Sequence, residues 1–354
     1  MLADVSETIS RDGGSKVPRG ITISRVASEA RVSPATVSRV LNGDPRVGEE
    51  YRIRVMSAVE MLGYRPNRLA RNLRRQRTAT IGVLVSDIKN PHFSEAVHAL
   101  ERLAFGRGHQ VLVCNTDETP EKERAYLETM IDERVLGVVL STSNPGEPTI
   151  TTLIDSGIPV VAFDREVADP RADAVIVDNI RASRMATERL LAAGHTDIAF
   201  VSGRTEVETG IERMQGYDLA MRAAGLEPRV VLGGFRAELA HDAVTELLRE
   251  DPRPTGLVVA NNLMTLGTLR ALHEAGVRVP DDIGIIAIDD PPWAPFVSPP
   301  LTCVAQPVDR MAADAMELLL DRVDGRRDQP RRIVQPLELR VRASCGTGTG
   351  AAKT

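Results

Sequence analysis

Apolar positions near the start of the chain recur with the spacing of α-helices. Three such stripes follow one another, and their apolar members are Ile23, Val26, Ala27 and Ala30, then Val37, Val40 and Leu41, then Val55, Val59 and Leu62. Thr22 and Ser33 are favourable N-cap residues for the first two helices, and Pro34 suits the first position of the second. Gly43 and Gly63 end the second and third helices, because glycine adopts the left-handed conformation without a Cβ clash. This pattern predicts a helix-turn-helix DNA-binding motif with a third supporting helix.

In such a motif the second helix enters the major groove with its N-terminal end, so its early exposed side chains face the bases. Pro34 and Ala35 offer apolar contacts, as with a thymine methyl group. Arg39, one turn later, can contact guanine with two hydrogen bonds, worth roughly 1–3 kcal/mol of discrimination. The polar residues expected to bind phosphates and set the register are Ser33, Thr36, Ser38 and Asn42, with Thr22 at the start of the first helix as a further candidate.

Periodicity alone is equally compatible with a small helical subdomain that does not bind DNA. The charge distribution distinguishes the two interpretations. Residues 16–77 hold 14 Lys and Arg against 5 Asp and Glu, a net charge of +9. The whole chain carries −5, so the remainder carries −14. A basic head on an acidic body fits a phosphate-binding module attached to a body that does not itself bind DNA.

From Thr80 onward, short apolar runs bounded by turn residues alternate with helical stretches. The predicted strands are Ile81–Val85, Val111–Cys114, Val135–Leu140, Pro159–Phe163, Ala174–Val177, Ile198–Val201, Val230–Leu232, Leu257–Ala260, Ile283–Ile288 and Ile333–Gln335. The predicted helices lie near His92–Arg107, Glu121–Glu133, Thr149–Ser156, Ile180–Ala193, Glu206–Ala224 and Pro307–Val323. This alternation, built twice, predicts an α/β body of two lobes, each a parallel sheet with crossover helices.

Polar residues follow the predicted strands where parallel sheets bind ligands, at their carboxyl ends. These residues are Ser86, Asp87 and Asn90, with the aromatic Phe93 beside them, after the first strand, then Asp164, Arg165, Asn179, Asn261 and Asp289 after later ones. Asp, Asn and Arg can each bond adjacent hydroxyls in a bidentate way, so the set suits a polyhydroxyl ligand between the lobes. The alternative for each residue is a helix cap or a turn, in particular for Asp87, Asn179 and Asn261.

The stretch VASEARVSPATVSRVLNG, followed by LGYRPNRLARNLR, resembles the head of the lac/galactose repressor family. In that family a hinge segment after the third helix folds on the operator and enters the minor groove, where a Leu wedges the central base step open. The resemblance assigns these roles to Asn67, Ala70, Arg71 and Leu73, with Leu73 as the wedge. The alternative is a flexible basic linker. This chain departs from the family in the turn, where Arg31 stands in place of the usual Gly and is expected to cost about 1 kcal/mol if left-handed.

The resemblance extends over the body, through the landmarks Gly194-His195, Arg213 to Tyr217, Val279 to Asp290, and Gln306-Pro307. It implies the fold of periplasmic sugar-binding proteins, dimerisation, and an effector in the cleft. The residues that it assigns to the effector are Asp164, Arg213, Asn261 and Asp289, with Asn90, Phe93, Asn179 and Trp293 after them. Arg213 resembles the arginine that clamps the sugar; the alternative is a surface residue of its helix. Asn262 stands where Asp is common in the family, which weakens any inference about ligand charge there.

These observations predict the boundaries of the domains. We expect a disordered leader at 1–20, a helix-turn-helix domain at 21–66, a hinge at 67–79, a ligand-binding and dimerisation domain at 80–345 and a disordered tail at 346–354. The first lobe takes about 80–178 and 307–335, and the second about 179–306 and 336–345. The tail has no leucine heptads, which favours a homodimer over a coiled-coil tetramer.

The leader lacks the apolar run of a signal peptide, and no stretch approaches the roughly 20 apolar residues of a membrane span. Three distant cysteines (Cys114, Cys303 and Cys345) and six unclustered histidines predict no disulfide framework, metal site or cofactor. We therefore expect a reduced, cytoplasmic protein.

The expected function is transcriptional repression by a homodimer on a near-palindromic operator, controlled by a neutral or mildly anionic sugar; sugar phosphates and nucleosides remain open. A solute-binding protein for sugar uptake is an alternative that the basic head and the missing signal peptide disfavour. An enzyme is not expected, because the common nucleotide, zinc-protease and serine-hydrolase motifs are missing from the sequence. Asp289 and Asp290 are adjacent, so on an extended strand they would point to opposite faces and not act as an acid/base pair.

Overall fold

The computed structural model describes residues 21–41, 43–64 and 78–346. The chain divides into two compact units, an N-terminal head and a body that begins at Arg77. No helix in the described residues is both long and apolar enough to span a lipid bilayer.

The head consists of the three predicted helices, α1 (Ile23–Glu29), α2 (Pro34–Leu41) and α3 (Glu49–Leu62). Its core is formed by the predicted apolar stripes, of which Val26, Val37 and Val55 are fully buried. Ile23, Val59 and Leu62 are partly buried at the edge of this core. Gly63 ends α3 with a φ of 60°, as predicted for a glycine cap.

The first lobe is a six-stranded parallel sheet with the order β11-β5-β4-β3-β1-β2. Its strands are β1 (Thr80–Val85), β2 (Gln110–Asn115), β3 (Gly137–Leu140), β4 (Val160–Phe163), β5 (Asp173–Val177) and β11 (Arg332–Gln335). Its helices are α4 (Pro91–Phe105), α5 (Pro120–Asp132), α6 (Pro148–Asp155) and α11 (Val308–Val323). The helices α4 and α11 contribute to one apolar cluster and α5 and α6 to another, which places the sheet between two helical layers.

The second lobe has the order β12-β10-β9-β8-β6-β7, in which all pairs are parallel except β12 with β10. Its strands are β6 (Ile198–Ser202), β7 (Arg229–Leu232), β8 (Gly256–Val259), β9 (Gly284–Ile288), β10 (Thr302–Ala305) and β12 (Glu338–Arg340). Its helices are α7 (Asn179–Ala192), α8 (Glu208–Ala223), α9 (Ala237–Leu247) and α10 (Asn262–Glu274), with a short 3₁₀ turn at Ala294–Phe296.

The fold confirms the two-lobed parallel architecture and corrects details of the predicted strands. β10 and β12 were not predicted, because β10 follows two prolines and β12 is a three-residue polar edge strand. The predicted strand at Val135 begins only at Gly137, where pairing with β1 starts. The predicted strand at Leu257 ends at Val259, one residue before Ala260.

The chain passes between the two sheets at three places, after β5, after β10 and after β11. Three short connections between two packed lobes form a hinge about which such domains close. The carboxyl ends of β1, β4, β8 and β9 lead into the space between the lobes, and the polar residues of the site follow them.

Candidate DNA-binding head and effector pocket

In the head, the start of α2 is capped as the sequence predicts. Ser33 Oγ accepts a hydrogen bond from the Thr36 backbone N–H at 3.1 Å, and the two hydroxyls lie 2.9 Å apart. Pro34, Ala35 and Arg39 are exposed, whereas Val37 and Val40 are buried against the other helices. Thr22 lies at the N-cap of α1 in an extended conformation, but its side chain makes no capping hydrogen bond.

The turn between α1 and α2 contains Arg31 with a φ of 52°, so the left-handed conformation expected at this departure is present. The side chain that holds this turn was not predicted from the sequence. Arg54, on α3, donates from Nη2 to the carbonyl oxygens of Ala30 at 2.6 Å and Arg31 at 3.0 Å. Two charge-assisted hydrogen bonds to the turn offset part of the cost of the left-handed non-glycine residue.

The proposed minor-groove residues Asn67, Ala70, Arg71 and Leu73, and also Asn42, lie outside the described residues. The exposed side of α2 with its cap Ser33, together with Thr22 before α1, is therefore the part of the predicted DNA-binding surface that the structure describes.

In the body, a pocket lies between the lobes at the carboxyl ends of the strands. Eight of the eleven predicted effector residues line it, namely Asp87, Asn90, Phe93, Asp164, Arg165, Arg213, Asn261 and Asp289. Its free volume is about 30 Å³, room for about two water molecules. A ligand of sugar size therefore requires the lobes to separate before it enters.

Arg213 is buried at 4% exposure, which excludes the alternative that it is a surface residue of α8. Its Nε donates to Asn179 Oδ1 at 2.8 Å, and its Nη1 donates to the Ala260 carbonyl oxygen at 2.6 Å. Gly216, one turn later on α8, lies so close to the Ile180 carbonyl that a Cβ atom would overlap it. This close approach of α8 to α7 sets the position of Arg213 beside the ends of the strands.

Two predicted residues act behind the pocket rather than on its wall. Asn179 holds Arg213, as described above, and donates from Nδ2 to Glu212 at 3.1 Å. Ser86 accepts a hydrogen bond from Arg165 Nη1 at 3.1 Å. The third residue outside the lining, Trp293, packs against the core of the second lobe.

The capping alternative applies to some of the site residues. Asn90 caps α4 by accepting from the His92 backbone N–H, and Asn261 caps α10 by accepting from that of Met264. Asn179 is not a cap, because Asp178 fills that position on α7. Capping and pocket lining are therefore not exclusive: Asn90 and Asn261 do both.

The mouth of the pocket is bridged by ion pairs that the sequence does not reveal. Arg236 of the second lobe donates to Asp87 Oδ2 at 2.5 Å and to the Asp117 carbonyl oxygen at 2.9 Å. Arg204 of the second lobe lies 3.5 Å from Glu118 Oε2. We call these five residues the cleft latch. It joins arginines of one lobe to acidic residues of the other and therefore favours the closed arrangement.

Left-handed backbone conformations of non-glycine residues concentrate around this pocket. Among the described residues, Glu118, Asp164, Phe235 and Asp289 have φ values of 56°, 69°, 61° and 76°, and all four line the pocket. Such conformations persist only where the surrounding structure enforces them, and they cluster at ligand-binding sites.

Seven residues of the pocket wall were not predicted from the sequence, namely His92, Glu118, Thr209, Phe235, Arg236, Leu263 and Gln306. Gln306 had been noted as part of a family landmark, and its Nε2 donates to Asp289 Oδ1 at 2.6 Å. His92 adjoins the predicted Phe93, which was a usable signal. Glu118 and Phe235 lie in loops, where neither apolar periodicity nor a strand end points to them.

Comparison with known proteins identifies the two parts of the chain. Residues 22–67 match the model of the bacterial regulatory proteins of the lacI family, and residues 187–345 match the periplasmic binding protein-like domain. The HTH-type transcriptional repressor PurR of Aliivibrio fischeri (strain MJ11) is 36% identical over 320 residues, covering 89% of this chain and 95% of that protein.

Solved structures agree with this assignment. The lac repressor dimer bound to operator and the anti-inducer ONPF is 26% identical with a TM-score of 0.83, covering 93% of this chain and 100% of that one. The transcriptional regulator CelR in complex with cellobiose is 33% identical with a TM-score of 0.69, covering 92% and 99%. Together with the helix-turn-helix head and the two-lobed body, these matches show that the chain belongs to the LacI family of bacterial regulatory proteins.

Proposed function

We propose that this LacI-family regulator represses transcription as a homodimer on a near-palindromic operator, and that a small neutral sugar in the cleft controls its affinity for that DNA. The observation that carries the proposal is the pocket itself, a ring of Asp, Asn and Arg side chains at the carboxyl ends of strands from both lobes. Such a ring suits a polyhydroxyl ligand.

The charges of the pocket favour a neutral ligand over an anionic one. Arg236 is paired with Asp87, and Arg165 is paired with Glu118 at 2.8 Å. Arg213 is then the pocket arginine without a carboxylate in hydrogen-bond contact among the described residues. A phosphate or carboxylate could pair with Arg213 alone without displacing an acidic partner, and it would meet the carboxylates of Asp164 and Asp289 on the same wall, whereas sugar hydroxyls can bond to all of these groups as they stand. The relative CelR was solved with cellobiose, a neutral sugar, which supports this ligand class.

On the DNA side, the exposed Pro34, Ala35 and Arg39 are proposed to contact base edges in the major groove. Phosphate contacts are proposed for Thr22, Ser33, Thr36, Ser38 and Asn42. The segment 67–79 is proposed as the hinge, with Leu73 as its wedge, between the DNA-binding domain at 21–66 and the ligand-binding domain at 80–345.

Coupling between the two sites requires that the effector bind the open and closed bodies differently. Because the cleft latch stabilises the closed form, an effector shifts DNA binding by stabilising or opposing closure, with a coupling energy of typically 1–3 kcal/mol. That corresponds to a change of about 5- to 150-fold in operator affinity.

The test is fluorescence anisotropy with labelled DNA from the protein's own upstream region, centred on a near-palindrome. The protein is titrated first, and neutral sugars, sugar phosphates and nucleosides are then added singly. We expect tight, salt-sensitive binding to this DNA, with an affinity that changes when a neutral sugar is added. Binding that is insensitive to salt would refute the DNA-binding role of the head. A shift caused by a sugar phosphate or nucleoside alone would refute the assigned ligand class.

A further inference from the structure

His92, the second residue of α4, lies inside the effector pocket beside Asp164. Its Nε2 is 3.4 Å from Asp164 Oδ1, and the two side chains are 3% and 5% exposed. That distance is long for a hydrogen bond. Neither nitrogen of the His92 ring, nor Asp164 Oδ1, has a hydrogen-bond partner among the described residues. These buried polar atoms therefore face each other on the pocket wall without a hydrogen-bond partner among the described residues.

The surroundings fix the positions of both groups. The ring of Phe93 meets the His92 ring edge-on with centroids 5.1 Å apart, and the Phe163 ring lies at 6.1 Å. Asp164 has a left-handed backbone, with φ at 69°, and its N–H donates to the Val175 carbonyl oxygen. Neither group can turn away without a change in the aromatic packing or the backbone.

The charged groups around His92 come from several elements. Asp164 and Arg165 follow β4, Asp289 follows β9, Arg213 lies on α8, and Glu95 lies on α4 itself. Burial disfavours the imidazolium, but Asp164, with a smaller contribution from Asp289, outweighs it and raises the pKa of His92. Burial also acts against the carboxylate, yet His92, Arg165 and Arg213 lower the pKa of Asp164 to about 2.

We infer that His92 determines the specificity of the pocket by forming, with Asp164, a paired donor and acceptor for one hydroxyl of the effector. In this arrangement the ligand hydroxyl donates to Asp164 Oδ1 and accepts from His92 Nε2–H. A hydroxyl is suited to this position because it both donates and accepts. At this position a ligand carboxylate would be repelled by the Asp164 carboxylate, and a ligand ammonium would be repelled by the His92 imidazolium. The inference rests on the proposed effector role of the pocket.

The first experiment needs no ligand. The full-length protein carrying ¹³C-labelled histidine is titrated by NMR, with the His92 signal assigned by its loss in His92→Gln. We expect His92 to titrate above the ordinary pKa of 6.5 in the wild type and below it in Asp164→Asn, where burial and the Arg213 charge outweigh the remaining contribution of Asp289. A wild-type value at or below 6.5, or one that Asp164→Asn leaves unchanged, would overturn the pair.

The second experiment tests whether His92 and Asp164 recognise a hydroxyl of the ligand. Binding of D-glucose, D-ribose, D-xylose and cellobiose is measured by calorimetry, followed by binding of deoxy analogues of the sugar that binds. We expect His92→Phe to weaken the binding of that sugar about tenfold, the loss of one charge-assisted hydrogen bond. We also expect His92→Phe to lose the preference of the wild type for that sugar over one of its deoxy analogues. His98→Phe, an exposed histidine on the same helix, is the matched control and should bind as the wild type does.

The outcomes separate this inference from the proposed function. Equal binding of a sugar by the wild type and His92→Phe overturns the role of His92 and leaves the sugar effector intact. Failure of all four sugars to bind, with the His92 titration as expected, overturns both the neutral-sugar assignment and the recognition of its hydroxyl.

Discussion

Replacing Arg213 tests the effector site most directly, and the structure limits the size of the expected effect. The Nε and Nη1 groups of Arg213 already bond to Asn179 and Ala260, which leaves Nη2 without a hydrogen bond to the described residues. One charge-assisted hydrogen bond from Nη2 to the ligand contributes about 1.5–3 kcal/mol. Arg213→Ala should therefore weaken effector binding by roughly 10- to 150-fold, and operator affinity without effector should stay within about twofold.

The substitution also affects stability, because it leaves Asn179 Oδ1 and the Ala260 carbonyl oxygen without their donor. Each buried unpaired acceptor costs roughly 1–3 kcal/mol, so the melting temperature of Arg213→Ala should fall. Arg213→Lys keeps the positive charge and can satisfy one acceptor, so it separates loss of the planar guanidinium from loss of charge. Arg222→Ala, at an exposed position of the same helix, serves as the control and should leave the melting temperature almost unchanged.

The assay combines calorimetry of the effector with anisotropy on the operator, and circular dichroism verifies folding. A folded Arg213→Ala protein that binds the effector with wild-type affinity would refute the assignment of Arg213 to the site. Loss of effector response in Arg222→Ala as well would show that the effect comes from the stability of α8 and not from a contact with the ligand.

Three further predictions follow from the head, the hinge and the latch. Leu73→Ala should weaken specific operator binding about tenfold or more, because the wedge at the central step is lost, while affinity for random duplex is unchanged; equal operator affinity would refute the wedge. Arg39→Ala should relax discrimination at one base pair by roughly 1–3 kcal/mol, measured on operators varied at single positions, and an unaltered preference at every position would exclude a base contact. Arg236→Gln removes a partly exposed ion pair that stabilises the closed form by about 1 kcal/mol. The radius of gyration measured by X-ray scattering should therefore rise. The control Arg249→Gln, whose partner Glu246 lies in the same lobe, should leave the radius of gyration unchanged. Identical scattering of Arg236→Gln and the wild type in low salt would contradict the latch.

The elements of the fold could be predicted where one physical signal dominated. The head helices and the central parallel strands are marked by apolar spacing, caps and glycines, and their observed bounds lie within about two residues of the predicted ones. β12 could not be found in this way, since Glu338–Arg340 is polar and pairs only at the edge of the sheet. Its position depends on a neighbour more than thirty residues earlier in the chain.

The site was predictable to the extent that topology fixes it. Because parallel strands all end on one edge of a sheet, polar residues after those strands meet, and most of the predicted set does line the pocket. The rule does not distinguish a side chain on the wall from one behind it, so Ser86 and Asn179 were placed with Arg165 and Arg213, which they hold. Nor does it reach Glu118, which lies in a loop of the first lobe, or Arg236, whose contact with Asp87 depends on how one lobe faces the other.

The partners of the arginines change the interpretation of charge in the pocket. Judged from the sequence, Arg165 and Arg213 beside the strand ends are compatible with a mildly anionic ligand as much as with a neutral one. The contacts separate the two arginines, because Arg165 is committed to Glu118 whereas Arg213 bonds only to neutral oxygens. Addition of Arg236 to the wall does not alter this balance, since Asp87 neutralises it across the cleft. An anion would gain one arginine and meet several carboxylates, so the carboxylates that pair with Arg165 and Arg236, and not the number of cations near the strand ends, favour a neutral polyhydroxyl effector.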